Sequence, residues 1–170
     1  TYLAPLAAGF PGAFGLKDDA ALLSLPPHTE LVVTTDPILE GIHFLASDRA
    51  DDIAWKALAV NLSDLAAKGA EPFAYTMALA FPRPPEKAWM ARFAEGLFTA
   101  QTTFGCHLAG GDTDHTSGPL SISITAFGVV PAGTFVRRTT ARIGDVVFVT
   151  GTLGDAALGL LLHRDARLLA

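Results

Sequence analysis

The chain has 170 residues, half of them apolar and 17% charged, with a net charge of −5 at neutral pH. That length suits one domain able to bury roughly 70% of the surface its unfolded form exposes, and the apolar share excludes a disordered chain. No apolar run reaches the ~18 residues of a membrane span and no Lys/Arg cluster marks a polyanion surface, so neither membrane nor nucleic acid is expected as a partner.

The single Cys106 cannot form an internal disulfide, and no basic stretch followed by an apolar core marks a signal peptide at the start. Both fit a reducing, cytoplasmic setting. Residues 1–14 read as a short helix or an irregular lead. Adjacent acids, Asp18 and Asp19, then stand directly before a predicted apolar strand, Ala20-Ala21-Leu22-Leu23. Pro26-Pro27-His28 is a turn. Leu31-Val32-Val33-Thr34-Thr35-Asp36 reads as a buried strand delivering two hydroxyls and a carboxylate at its end, with Pro37 expected to stop the ladder because it has no N–H to donate. Glu40 and His43 follow in a loop interrupted by Gly41.

Asp51 or Asp52 is expected to cap a helix running to about Lys68, with Gly69 as its stop. Apolar residues recur around most of its circumference, which predicts a helix sandwiched between layers. Asn61 and Asp64 sit three apart within that apolar surround, hence on one face. Residues 72–81 read as a strand. Pro84-Pro85-Glu86 opens a second helix to about Thr103, with Trp89, Phe93 and Leu97 on one stripe. Cys106 to Ala109 is a short strand ending in Gly110-Gly111-Asp112-Thr113-Asp114. Leu120 to Val130 alternates Ser/Thr with apolar residues and predicts a long strand with one buried face. Beyond Arg137-Arg138, Val146 to Thr150 reads as a further strand, and Gly151-Thr152-Leu153-Gly154-Asp155 leads into a helix still in progress at Ala170. The mixed order of strands and helices predicts an α/β fold of the α+β type, not a doubly wound sheet.

Asp19, Asp36, Asp64 and Asp112 share a context, each at the end of an apolar element or inside one. Buried Asp needs a partner, and only Lys17, Lys56 and Lys68 lie close in sequence. Clustered carboxylates repel one another unless a cation intervenes. An all-oxygen donor set that includes Thr34 and Thr35 suits Mg²⁺. Taken one at a time, each acid also reads as a cap or turn residue; the set of four is what points to metal, with Asn61, Glu40 and Asp114 as auxiliaries. Other chemistries lack their residues. There is no phosphate-binding Gly-x-x-x-x-Gly-Lys-Ser/Thr loop, no His-Glu-x-x-His, and no Gly-x-Ser-x-Gly elbow. Cys106 reads as a small core residue. Gly151 to Gly159 reads equally as a phosphate seat or as a plain strand-to-helix turn.

In this order, Asp18-Asp19-Ala20-Ala21, Thr34-Thr35-Asp36, Glu40-Gly41-Ile42-His43-Phe44, the run from Lys56 to Ala67, Gly110-Gly111-Asp112-Thr113, Gly144-Asp145 and Val149 to Ala157 resemble the thiamine-monophosphate kinase family. The wider superfamily includes aminoimidazole ribonucleotide synthetase and selenide water dikinase. The resemblance implies a mixed sheet covered by helices on one face and completed as a barrel across a homodimer. It implies transfer of the γ-phosphoryl group of ATP to thiamine monophosphate, with Mg²⁺ held by Asp19, Thr34, Thr35, Asp36, Asp64 and Asp112. Gly111, Asp112 and Arg138 would contact ATP, and His43 the substrate, with no general base. Residues 1–140 would form an ATP- and Mg²⁺-binding, dimerising N-terminal domain, and 141–170 the start of a C-terminal domain that completes the enzyme. Lys17 departs from the family pattern, which has Gly before the Asp pair. Two other readings accompany this one: a non-catalytic dimeric nucleotide- or metal-binding module, and a superfamily enzyme with a different acceptor.

Overall fold

The computed structural model describes residues 2–164, which divide into two compact units between Arg137 and Arg138. The first unit is built on four strands, β1 (Thr29–Leu39), β2 (Glu71–Phe81), β3 (His107–His115) and β4 (Ser121–Pro131), and two helices, α1 (Ala50–Ala66) and α2 (Lys87–Phe104). The strand order is β1-β4-β2-β3, with β2 and β3 parallel and both partners of β4 antiparallel to it. β4 therefore lies between the two strands that α1 connects, and β1 and β3 are the two edges. Short 3₁₀ turns at Ala4–Ala7 and Pro11–Leu16 precede the sheet and pack against β3.

The core follows from period-two and period-3.6 patterning. On β4 the residues Ile122, Ile124, Ala126 and Val130 are buried, alternating with half-buried Ser and Thr. On β2, Tyr75, Met77, Leu79 and Phe81 face the same layer. α1 buries Ile53, Ala54, Ala57, Leu58, Leu62 and Leu65, and packs on both the sheet and α2, which is the sandwiched placement its composition predicts. Phe93 and Leu97 of α2 are fully buried, each contributing about 1.5–3 kcal/mol of transfer free energy. The helices come close because position 96 is glycine: a Cβ there would lie 2.3 Å from the Asp51 carbonyl oxygen. Tyr75 donates its hydroxyl proton to Gln101 Oε1 (3.1 Å), and Gln101 Nε2 donates to the Leu6 carbonyl (3.1 Å), tying β2, α2 and the N-terminal segment together. Burial raises the Tyr75 phenol and pushes the Cys106 thiol up to about 12, so Cys106 is an inert core residue.

Four local expectations are corrected in this unit. β1 does not stop at Pro37 but runs through it to Leu39, with Pro37 opposite Ser123. An edge strand has one neighbour, so a missing N–H forfeits at most one ladder bond. Ala20 to Leu23 forms no strand; Leu22 is 60% exposed and its N–H is bound to Gly12 O at 2.8 Å instead of a sheet neighbour. Asp51 and Asp52 do not cap α1: Arg49 is the N-cap, and the two acids occupy the first turn, where the helix dipole favours them. Arg49 hydrogen-bonds Asp51, holding that carboxyl below its ordinary range. β3 does not end before the Gly-Gly-Asp-Thr-Asp run but carries it as strand, paired with β2.

The second unit contains a 3₁₀ turn at Arg138–Thr140 and α3 (Asp155–Arg164). The strand expected over 146–150 is absent among the described residues: Val147 and Phe148 are exposed and pair with nothing. A strand exists only through its ladder, and an apolar run alone does not supply one. The end of the final helix, 165–170, lies outside the described residues.

Candidate functional site

The acids expected to share one place occupy two, at opposite edges of the sheet. On the β1 side, alternation turns Thr34 and Asp36 toward α1 together with the core residues Val32 and Ile38. Thr34 Oγ1 donates to Asp64 Oδ2 at 3.3 Å across the β1–α1 seam. Asn61, one helical turn before Asp64, is fully buried and spends its whole amide on main chain. Its Oδ1 accepts the Asp36 N–H at 2.9 Å, while Nδ2 donates to Ala57 O at 3.1 Å and to Asp36 O at 3.4 Å. An edge strand leaves peptide groups unpaired on its outer side. Asn61 takes the place of the missing neighbour at one residue, Asp36, and so fixes the backbone from which that carboxylate projects. It is not a metal auxiliary.

On the β3 side, Asp18, Asp19, Gly111, Asp112 and Thr113 line a cavity of about 530 Å³ floored by Thr76 and Met77. Gly111 passes so close to β2 that a Cβ would lie 1.9 Å from the Met77 carbonyl oxygen. Asp112 Oδ1 accepts the Thr113 N–H at 2.7 Å, and Asp18 Oδ1 accepts the Asp19 N–H at 2.8 Å. These bonds orient each carboxyl group through one oxygen and leave the other available. Lys17 is exposed beside this cavity.

Three strand spacings, roughly 14 Å, separate the edges that carry Asp36 and Asp112. Convergence of all four aspartates in one cage is therefore not what the described residues form; no three His, Cys, Asp or Glu side chains among them come together as a metal cage. The β3 edge nonetheless offers the carboxylates of Asp18, Asp19 and Asp112, and the β1 seam those of Asp36 and Asp64 with the Thr34 hydroxyl. That fits Mg²⁺, which takes one or two carboxylates and fills its octahedron with water and phosphate oxygens. Thr35 departs from this set. Its side chain faces away from α1, where Oγ1 donates to Ile124 O and accepts from Thr125 Oγ1, both at 3.1 Å.

His43 stands in the turn after β1 with Nδ1 accepting the Leu39 N–H at 3.0 Å, and the Lys56 ammonium of α1 donates to the His43 carbonyl. Arg138 opens the second unit and is exposed there. Residue identity alone did not reveal the roles of Asn61 and Lys56. Their one legible signal is a polar side chain interrupting the apolar faces of a helix that runs beside an acid-bearing strand.

Together these features define an α/β domain whose two sheet edges present carboxylates, one of them beside a glycine that lets its strand approach β2 closely. Residues 17–130 match the family AIR synthase related protein, N-terminal domain, and the chain belongs to that family. It is 46% identical over 159 residues to the thiamine-monophosphate kinase of Caulobacter vibrioides, covering 94% of this chain and 45% of that protein. The crystal structure of thiamine-monophosphate kinase from Stenotrophomonas maltophilia K279a superposes with a TM-score of 0.80 at 47% identity, over 88% of this chain and 46% of that one. A structure of AaThiL complexed with AMPPCP and TMP gives a TM-score of 0.74 at 37% identity, over 87% and 47% of the two chains. The chain spans about half the length of the curated relatives it matches. No helix among the described residues is long and apolar enough to cross a membrane.

Proposed function

We propose that this chain is the N-terminal half of an ATP- and Mg²⁺-dependent thiamine-monophosphate kinase of the cytoplasm, transferring the γ-phosphoryl group of ATP to thiamine monophosphate to give thiamine diphosphate. The observation that carries the reading is the placement of acids at each sheet edge: Asp18, Asp19 and Asp112 line the cavity that Gly111 helps to form at β3, and Asp64, bonded to the Thr34 hydroxyl, stands at the β1 seam toward which Asp36 faces. The relatives named thiamine-monophosphate kinase, and the one complexed with AMPPCP and TMP, support it.

In the reaction an acceptor phosphate oxygen forms the bond to the γ-phosphorus, the bond from that phosphorus to the β–γ bridging oxygen breaks, and ADP leaves. The acceptor is already anionic near neutral pH, so no side chain has to remove a proton. What the protein must supply is alignment and relief of repulsion between two polyanions. Bound Mg²⁺ supplies positive charge that the side chains of this acidic chain do not. Asp19, Asp36, Asp64 and Asp112, with the Thr34 hydroxyl, are the ligands in this reading. The Thr35 hydroxyl is turned away from them. Gly111 lets nucleotide approach β3, Arg138 contacts its phosphates, and His43 contacts the acceptor. Residues 1–140 act as the nucleotide-binding and dimerising domain, and 141–170 begin a second domain. Exposed Leu31 and Val33, on the face of β1 turned away from the helices, suit closure of the sheet into a barrel with a second copy.

Incubating the protein as it occurs in the cell with labelled ATP, Mg²⁺ and thiamine monophosphate should yield labelled thiamine diphosphate. No product above a protein-free control overturns the reading. Label transfer to a different phosphorylated acceptor, but not to this one, overturns the substrate and keeps the kinase class. Mg·ATP binding with no transfer to any acceptor assigns a non-catalytic module.

A further inference from the structure

The turn that follows β1 commits three of the four polar groups of His43. Its N–H donates to Leu39 O at 2.8 Å, its carbonyl accepts from the Lys56 ammonium, and its Nδ1 accepts the Leu39 N–H at 3.0 Å. A ring nitrogen that accepts a hydrogen bond carries no proton, so the imidazole is the neutral tautomer with its hydrogen on Nε2. Among the described residues Nε2 makes no hydrogen bond, and the side chain is exposed. The rest of the turn is fixed as well. Gly41 has φ +81°, its N–H donates to Phe44 O at 2.7 Å, Glu40 N–H donates to Leu120 O at 3.0 Å, and Phe44 is buried. Only the carbonyl of His43 depends on a side chain from another element. Lys56 is that side chain, one turn of α1 before Val60 and Asn61 and on the same helix that clamps Asp36.

We propose that Lys56 is a positioning residue that acts through His43. It holds the turn so that Nε2–H is aimed outward as a hydrogen-bond donor to an anionic oxygen of the acceptor's phosphate. This rests on the kinase reading above and sharpens it: His43 donates a hydrogen bond and takes no proton, which is what an acceptor that arrives already ionised requires. It also gives α1 one task at two points, setting the distance between the Asp36 backbone and the acceptor-binding turn.

The test uses the full protein with Lys56→Met, Lys56→Arg, His43→Ala and the Lys56→Met/His43→Ala double variant. Lys56→Met should raise KM for thiamine monophosphate about tenfold while KM for ATP and kcat stay within about twofold, the size expected from misplacing one hydrogen bond to a charged group. Lys56→Arg should restore most of the loss. The double variant should be no worse than His43→Ala, because the two residues share one effect. Histidine labelled with ¹³C and ¹⁵N gives a readout independent of turnover: the wild type should show His43 with its proton on Nε2, and Lys56→Met a mixture of tautomers. A proton on Nδ1 in the wild type overturns the proposal, as does an unchanged tautomer in Lys56→Met. An equal rise in KM for ATP overturns it in favour of a direct charge effect of Lys56 on nucleotide. A wild type that transfers no phosphoryl group rejects the kinase reading, and with it the acceptor contact of His43.

Discussion

The two edges of the sheet solve the same problem by opposite means. At β1 a carboxylate is fixed by adding a side chain: Asn61 reaches from α1 and bonds both the N–H and the C=O of Asp36. At β3 a carboxylate is reached by removing one: Gly111 has no Cβ, so the backbone closes onto Met77 and leaves the cavity in front of Asp112 open. A buried amide can be weakened by degrees, whereas a backbone approach of that kind tolerates nothing larger than hydrogen. The first edge should therefore fail gradually and the second abruptly.

The strongest way to break the comparison is to neutralise one acid on each side. Asp36→Asn and Asp112→Asn should each reduce phosphoryl transfer by about 10²-fold or more, since each removes charge from a cation site, while the thermal midpoint of each variant stays within a few degrees of wild type. If only one of the two loses activity, the sites are not equivalent in the reaction. Gly111→Ala should destabilise the fold by about 3 kcal/mol or more, read from the urea midpoint, because the clash is with backbone and cannot be relieved by a rotamer change. Asn61→Ala should cost less, about 1–3 kcal/mol, the penalty for stranding a buried donor and acceptor, and should speed amide exchange at Asp36. The smallest effect is expected from Thr35→Val, with activity within about twofold of wild type. Thr34→Val should weaken Mg²⁺ dependence measurably, because only the Thr34 hydroxyl meets Asp64.

Much of this fold was written in local patterns. The alternation from Leu120 to Val130 gives β4, residues 72–81 give β2, and the all-round apolar residues of 53–65 give a helix covered on both sides. Boundaries failed where the deciding partner was distant. Pro37 is tolerated because β1 is an edge strand, and Val146 to Thr150 is no strand because nothing among the described residues pairs with it; neither fact is local. The candidate site divides the same way. Asp19, Asp36, Asp64 and Asp112 could be picked out as acids in apolar settings, yet their grouping into pairs follows from the insertion of β4 between β1 and β2. The rotation of Thr35 away from Thr34 was legible in principle, since neighbours on a strand face opposite ways. Asn61 looked like a spare oxygen ligand. Its amide is occupied by the main chain of Asp36 and Ala57, partners that only the packing of α1 against β1 brings to it.

The insertion of β4 also matters before the protein is finished. Thr35 and Thr125 are paired neighbours but lie 90 positions apart. At about 5–20 residues per second, β1 leaves the ribosome roughly 5–20 s before β4, its ladder partner among the described residues. Through that interval Val32 and Ile38 have no ladder to lie in, and β2 lacks its antiparallel partner as well. Nascent chains of this kind are exposed to mispairing for as long as β4 is still to be translated, which makes the codons just upstream of Ser121 a place where translation speed bears on yield.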